Sequence, residues 1–353
     1  LHPNTGEVTL PGGKIRLYDR FKQLEMPPEF YAEAKAFIES LGLLFLYTPF
    51  GPKSAKILKE LQPKIVKIAS PELNYTALLR EVAGWGLPVL LSSGVSTLGD
   101  IEEAVSILRE WGMGNGEQGY PRGKNFTTED TEKEAENILK LRVTPWLNII
   151  LRNPQNTPCL LHCVTAYPAP ETDYNLRVLQ SLAAAFGIDV GVSDHSLDPE
   201  LVPVLAVALG AAAVEKHFCL SRSDPGLDDP IALPPCEFAR MAKAIRLAAE
   251  IGPQETLDSL RRERGDEVIE AVLGSGIKEL APSEKENYSR TNRSIHALRD
   301  IQAGETIMSK DFAVLRTEKI LRPGLAPSWA EKISGRTARQ FIPAGEGIRF
   351  EDV

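Results

Sequence analysis

No apolar run in this chain approaches the ~20 residues needed to cross a bilayer. Its opening, Leu1-His-Pro-Asn-Thr-Gly, also lacks the basic-then-apolar pattern of a signal peptide. Together these absences argue against a membrane and for a cytoplasmic protein. Positive charge is in deficit: 40 Lys and Arg face 48 Asp and Glu, for a net charge of -8 and a pI near 5.4, so nucleic acid is not an expected partner. Cysteine is sparse. The four, Cys159, Cys163, Cys219 and Cys236, show no Cys-x-x-Cys spacing, and three sit in or beside apolar strand-like runs, so reduced thiols are expected. Apolar residues make up 43% of the 353, enough for one barrel-sized domain and a smaller one.

From 28 to 251, strand-like and helix-like segments alternate, the signature of parallel βαβ units. The expected strands are 43–48, 65–69, 88–92, 159–164, 189–193 and 212–218. Each is apolar almost throughout, as a strand buried on both faces must be. Each also ends at a small polar or charged residue: Thr48, Ser70, Ser92, Thr165, Ser193 and His217. The expected fold is α/β, a TIM-type (β/α)8 barrel, but such a barrel needs eight strands and only six are visible. The segment before Pro28 reads as a loop, so the first two strands are missing from this chain and would precede Leu1. A barrel opened in this way is expected to be unstable or inactive if Leu1 is the true start.

Residues 111–157 break the regular spacing with a Gly-rich stretch and a charged segment, and read as an insertion on the barrel surface. A charged, Pro-interrupted linker is expected over 252–289. After it, short alternating runs punctuated by Ala303-Gly-Glu and Ala344-Gly-Glu predict a compact β-rich module over 290–353.

The chemistry-bearing residues gather at the strand ends. His195 and His217 close consecutive apolar runs, so adjacent parallel strands would bring two imidazoles to one end of the sheet, beside Asp194 and Glu215. That placement suggests a divalent metal; taken singly, each would read as a hydrogen-bonded rim histidine. Lys67 lies within an apolar run and needs an anionic partner. With Thr48, Ser70, Ser92 and Ser193 it has the make-up of a phosphate cradle; the alternative is a salt bridge to Glu72 or Glu215.

Seven strings in order carry a resemblance to a known family: Leu46-Tyr-Thr-Pro-Phe50, Val66-Lys-Ile-Ala-Ser70, Leu91-Ser-Ser-Gly94, Leu160-Leu-His-Cys163 with Tyr167-Pro168, Gly191-Val-Ser-Asp-His195, Glu215-Lys-His-Phe218 and Pro225-Gly-Leu-Asp228. The chain resembles the sialic acid synthase family, which includes spore-coat polysaccharide enzymes. Arg293-Ser-Ile295 is similar to the start of its antifreeze-like (SAF) C-terminal domain. The resemblance implies a synthase barrel over 1–251 and a SAF domain over 290–353. It implies a transferase reaction in which phosphoenolpyruvate condenses with an N-acylated hexosamine, giving a 2-keto-3-deoxy acid sugar and phosphate for surface polysaccharide.

In family terms His195 and His217 correspond to Mn²⁺ ligands, with Mg²⁺ or Co²⁺ as alternatives. Lys67, Ser70, Thr48, Ser92 and Ser193 fall where phosphoenolpyruvate is held, and Tyr167 and Asp228 where the sugar is contacted. Arg293 matches an arginine that reaches into a partner's site, implying a domain-swapped homodimer. Glu72, at the strand mouth, is expected to stabilise positive charge at the former enol carbon. Two family motifs, a Glu-Ile-Gly-x-Asn-His string and a Lys-Phe-Gln string that close the first two strands, do not occur here. Two other readings remain open: a Schiff-base aldolase or lyase using Lys67, and an inactive truncated paralogue with a carbohydrate-binding role in 292–353.

Overall fold

A computed structural model of the chain describes residues 7–10, 13–112, 158–288, 290–316 and 320–353. Apart from Trp111 and Gly112, which end a helix, the expected 111–157 insertion lies outside the described residues. The chain opens with an antiparallel hairpin, β1 (Glu7–Leu10) and β2 (Gly13–Arg16), then α1 (Leu17–Gln23), where a loop was expected. Gly13, at φ 117°, supplies the backbone conformation for the return. Helices α2 (Pro28–Ser40) and α3 (Pro52–Glu60) follow.

The centre of the fold is a five-stranded, all-parallel sheet. Its strands are β3 (Val66–Ile68), β4 (Val89–Ser92), β5 (Cys159–Cys163), β6 (Val190–Asp194) and β7 (Val214–Lys216), adjacent in sequence order. Crossovers run through α4 (Thr76–Ala83), α5 (Leu98–Gly112), α6 (Val178–Phe186) and α7 (Leu201–Ala208), with α8 (Pro235–Ile251) after β7. Alternation splits each strand between two surroundings. Val66, Ile68, Leu91, Leu160, Val190 and Val192 pack outward into the main core with the helices. Ile65, Leu90, Cys159, Leu161 and Ala213 form a separate inner cluster. Gly191 is inward-facing where no side chain fits, since a Cβ there would lie 2.4 Å from the Ala213 carbonyl oxygen.

Residues 43–48 are not a strand. Leu44 joins the inner cluster and Phe45 is buried, yet Leu43 and Leu46 are exposed, and the sheet's hydrogen bonding begins at β3. An apolar run without a neighbouring ladder does not become a strand. The expected linker at 252–289 is also corrected. It forms α9 (Pro253–Arg264) and α10 (Asp266–Leu273), whose Leu260, Ile269, Val272 and Leu273 enter the main core.

The C-terminal module pairs β8 (Ser294–Ala297) with antiparallel β9 (Phe312–Leu315) around Ile295, Ile301, Ile307, Ile342 and Ile348, and carries the short α11 (Ala330–Ile333). Its two Ala-Gly-Glu strings are matching turns, with Gly304 at φ 84° and Gly345 at φ 90°. Among the described residues, no helix is long and apolar enough to cross a membrane.

Candidate active site

Above the inner cluster, the same inward alternation brings Lys67, Ser92, Cys163, Ser193 and Glu215 to the carboxyl ends of the strands, where active sites of parallel barrels form. Lys67 Nζ lies 3.3 Å from Glu215 Oε1, so of the two glutamates considered as partners the one on β7 is used. Glu72 instead meets Arg293: its fully buried carboxylate accepts Nε–H through Oε2 at 2.6 Å. The guanidinium also donates to the carbonyls of Phe50 and Val314, both at 3.2 Å, and stands 4.9 Å from the Tyr75 ring. Within the chain, Arg293 thus reaches Glu72 because the turn into β8 docks directly on the 70–75 segment. Asn74 Nδ2 donates to the Arg293 carbonyl at 2.9 Å.

The two histidines do converge. Their ring centroids are 5.3 Å apart, and Tyr167 stacks on His195 at 4.3 Å while meeting His217 edge-on at 5.9 Å. His195 Nδ1 donates to the Val164 carbonyl at 2.8 Å, which leaves Nε2 as the ring nitrogen facing Ser193 Oγ (3.5 Å) and Tyr167 Oη (3.4 Å). The His195 N–H donates to Tyr174 Oη at 2.6 Å. His217 follows β7, its carbonyl accepting from Leu233 N–H, and its Nδ1 is 3.7 Å from Asp228 Oδ2. Asp194 does not belong to this group: it points outward and is locked by Lys216 at 2.6 Å, both side chains fully buried.

Burial works against charge on His195, but the Cys163 sulfur, 3.8 Å from Nδ1, outweighs it and lifts the imidazole to about 9. Burial and the charge of His195 push His217 below its ordinary value. Two imidazoles this close do not both hold a proton.

A metal fits this pair. Two imidazoles on one ion at ligand angles of about 90–110° and ~2.1 Å bonds have centroids roughly 4.6–5.4 Å apart, which spans the observed separation. No third His, Cys, Asp or Glu completes a cluster among the described residues, so an ion held by His195 and His217 keeps open positions for water or substrate oxygens.

Several buried oxygens at the site, Ser92 Oγ, Thr165 Oγ1 and Glu215 Oε2, have no hydrogen-bond partner, as befits a surface that meets a polar ligand; Glu72 Oε1, beside Arg293, has none either. Ser70 Oγ accepts the Gly94 N–H at 2.9 Å, and a Cβ on Gly94 would collide with Thr165 Oγ1 at 2.1 Å, so glycine keeps three strand ends together. Thr48 lies in the non-strand segment just before Phe50, whose carbonyl meets Arg293.

Four residues escape sequence reasoning: Cys163, Tyr174, Glu284 and Arg316. Glu284 lies in the supposed linker, yet is buried and accepts the Val95 and Thr165 N–H groups. Arg316, from the C-terminal module, acts electrostatically on Tyr167. The signal for Tyr174 is a tyrosine soon after a strand end, and for Cys163 its place at the end of an expected strand on the face of Cys159 and Leu161; Glu284 and Arg316 have none.

The chain is similar to known proteins along most of its length. A family model described as the NeuB family matches residues 5–255, and one for the SAF domain matches 292–353. The chain is 34% identical over 303 residues to the uncharacterized protein MJ1065 of Methanocaldococcus jannaschii, covering 86% of this chain and 71% of that protein. It is 31% identical to the spore coat polysaccharide biosynthesis protein SpsE of Bacillus subtilis, over 98% of this chain and 79% of that one. An N,N'-diacetyllegionaminic acid synthase of Campylobacter jejuni is 29% identical over 93% of this chain and 78% of its own length. The SpsE crystal structure superposes with a TM-score of 0.71 over 93% of this chain and 78% of that chain. By its sequence, its parallel sheet and its C-terminal module, the chain belongs to the NeuB family.

Proposed function

We propose that this protein is a sugar-acid synthase that condenses phosphoenolpyruvate with an N-acylated hexosamine aldehyde, yielding a 2-keto-3-deoxy acid sugar and phosphate for surface polysaccharide. One observation carries the reading. At a single sheet end, two imidazoles 5.3 Å apart face a buried lysine and hydroxyls such as Ser92 Oγ that lack a protein partner. The legionaminic and spore-coat relatives named above support it.

Lys67, with Ser70, Ser92, Ser193 and Thr48, holds the phosphate and carboxylate of phosphoenolpyruvate; the ammonium supplies charge and the hydroxyls supply directed donors. Glu215 keeps Lys67 in place. Tyr167, stacked on His195, and Asp228, beside His217, bound the space for the sugar. Carbon 3 of the enol attacks the aldehyde carbon, and the aldehyde oxygen takes a proton to become a hydroxyl. Positive charge then develops at carbon 2, and the Glu72 carboxylate, held at Oε2 by Arg293 and without a partner at Oε1, would stabilise it. Water adds at carbon 2, the bond from carbon 2 to the phosphate oxygen breaks, and phosphate leaves as the ketone forms. A bound divalent ion, Mn²⁺ foremost, held by His195 and His217 would polarise the aldehyde. In a cytoplasmic homodimer with exchanged C-terminal modules, the Arg293–Glu72 pair would form between chains with the same geometry.

The test is mass spectrometry of the full chain's products from phosphoenolpyruvate, Mn²⁺ and N-acetylmannosamine or a 2,4-diacetamido-hexose. A nine-carbon 2-keto-3-deoxy acid is expected. Intact substrates with every sugar would overturn the reading.

A further inference from the structure

The C-terminal module carries a cavity of about 280 Å3, lined by Trp329, Lys332, Ile333, Arg336, Phe350 and Val353. Phe350 is half exposed, and Trp329 meets it edge-on with ring centroids 4.7 Å apart, so the two rings form a fixed corner. Lys332 Nζ stands 4.4 Å from the Trp329 centroid, and Arg336 Nε reaches the Lys332 carbonyl at 3.3 Å, which ties both cations to the same rim. Neither cation has a carboxylate within ion-pair distance among the described residues, in a chain that carries eight more acidic than basic side chains. An aromatic wall under two cations is complementary to a small acid with a ring-sized apolar face. The volume lies just below the ~300–1,000 Å3 of ordinary small-molecule sites, which suits one monosaccharide and is too small for a nucleotide-linked sugar.

We propose that this cavity is a binding site for a carboxylated pyranose, separate from the site at the sheet end. The ring's apolar face lies against Trp329 and Phe350, and its carboxylate is held by Lys332 and Arg336. The choice of a sugar acid rests on the synthase reading, since that reaction yields one; the site then recognises the product's chemical class outside the reacting centre.

The experiment is 19F NMR of the full chain containing 5-fluorotryptophan, with the Trp329 resonance assigned through Trp329→Phe, during titration with N-acetylneuraminic acid. A saturable shift of that resonance is expected, weakened at least tenfold in Lys332→Glu and in Arg336→Glu, and absent with neutral N-acetylmannosamine. No saturable shift, an equal shift with N-acetylmannosamine or benzoate, or a shift unchanged in both variants would overturn the proposal. Phosphate release is measured on the same samples. The charge variants are expected to retain it, and an inactive barrel with the Trp329 shift intact would support the cavity while defeating the synthase reading.

Discussion

Replacing Arg293 with alanine should be among the most destabilising single changes in this protein. Its guanidinium is 7% exposed and its partner Glu72 is fully buried, with the two 2.6 Å apart. Removing one member of a buried pair leaves the other charge uncompensated, at a cost of about 3–5 kcal/mol. The Phe50 and Val314 carbonyls and the face of Tyr75 lose the same partner. These losses share one side chain and do not simply add, so we expect about 4 kcal/mol in all. In urea, with a slope of about 2–3 kcal/mol per molar, the midpoint should fall by roughly 1.3–2 M. Glu72→Met should cost a similar amount. The double variant Glu72→Met/Arg293→Met should be less destabilised than either single change, because no charge is then stranded. Single costs below about 1 kcal/mol, or a double variant equal to the sum of the singles, would show that this pair does not join the C-terminal module to the barrel as described.

Three further outcomes follow from the geometry. Gly191→Ala pushes a methyl group against the Ala213 backbone, which cannot rotate away, so thermal unfolding should register a loss of at least about 1–3 kcal/mol. His162 is held down to about 3 by burial and then by Lys278, whereas unfolded it titrates near 6.5. The unfolded state therefore binds the extra proton below pH 6.5, and stability present above that value is lost as pH falls toward 3, by ~2 kcal/mol between pH 6.5 and 5. Urea midpoints across that range should slope less in His162→Gln than in the parent. Finally, borohydride added with pyruvate should leave Lys67 unmodified, because its ammonium is engaged by Glu215 as an anion-binding cation; an adduct found on Lys67 by peptide mapping would favour Schiff-base chemistry.

The parallel sheet was legible where strands are buried on both faces: β5 and β6 read as strands because every residue in them is buried. The same rule misread 43–48, since an apolar run looks alike whether or not a neighbouring backbone exists to pair with it. Helices α9 and α10 were hidden by their charge. Arg261, Arg262, Arg264 and Glu255 dominate the composition, while Leu260, Ile269 and Val272 on the inner face anchor the helices. The histidine pair was visible because consecutive strands end on the same side. The partners of the two inner charges were not: Lys67 had two glutamates available, and Glu72 is taken by Arg293 from 221 positions away, which no local pattern reports.

The most direct test of the account is phosphate release from phosphoenolpyruvate by the full chain with Mn²⁺ and an N-acyl hexosamine, with and without chelator, for the parent, His195→Ala and His217→Ala. The account predicts release that requires the sugar, stops with chelator, returns with Mn²⁺, and falls at least a hundredfold in both variants. Release that persists in chelator, or that survives loss of either imidazole, would contradict it.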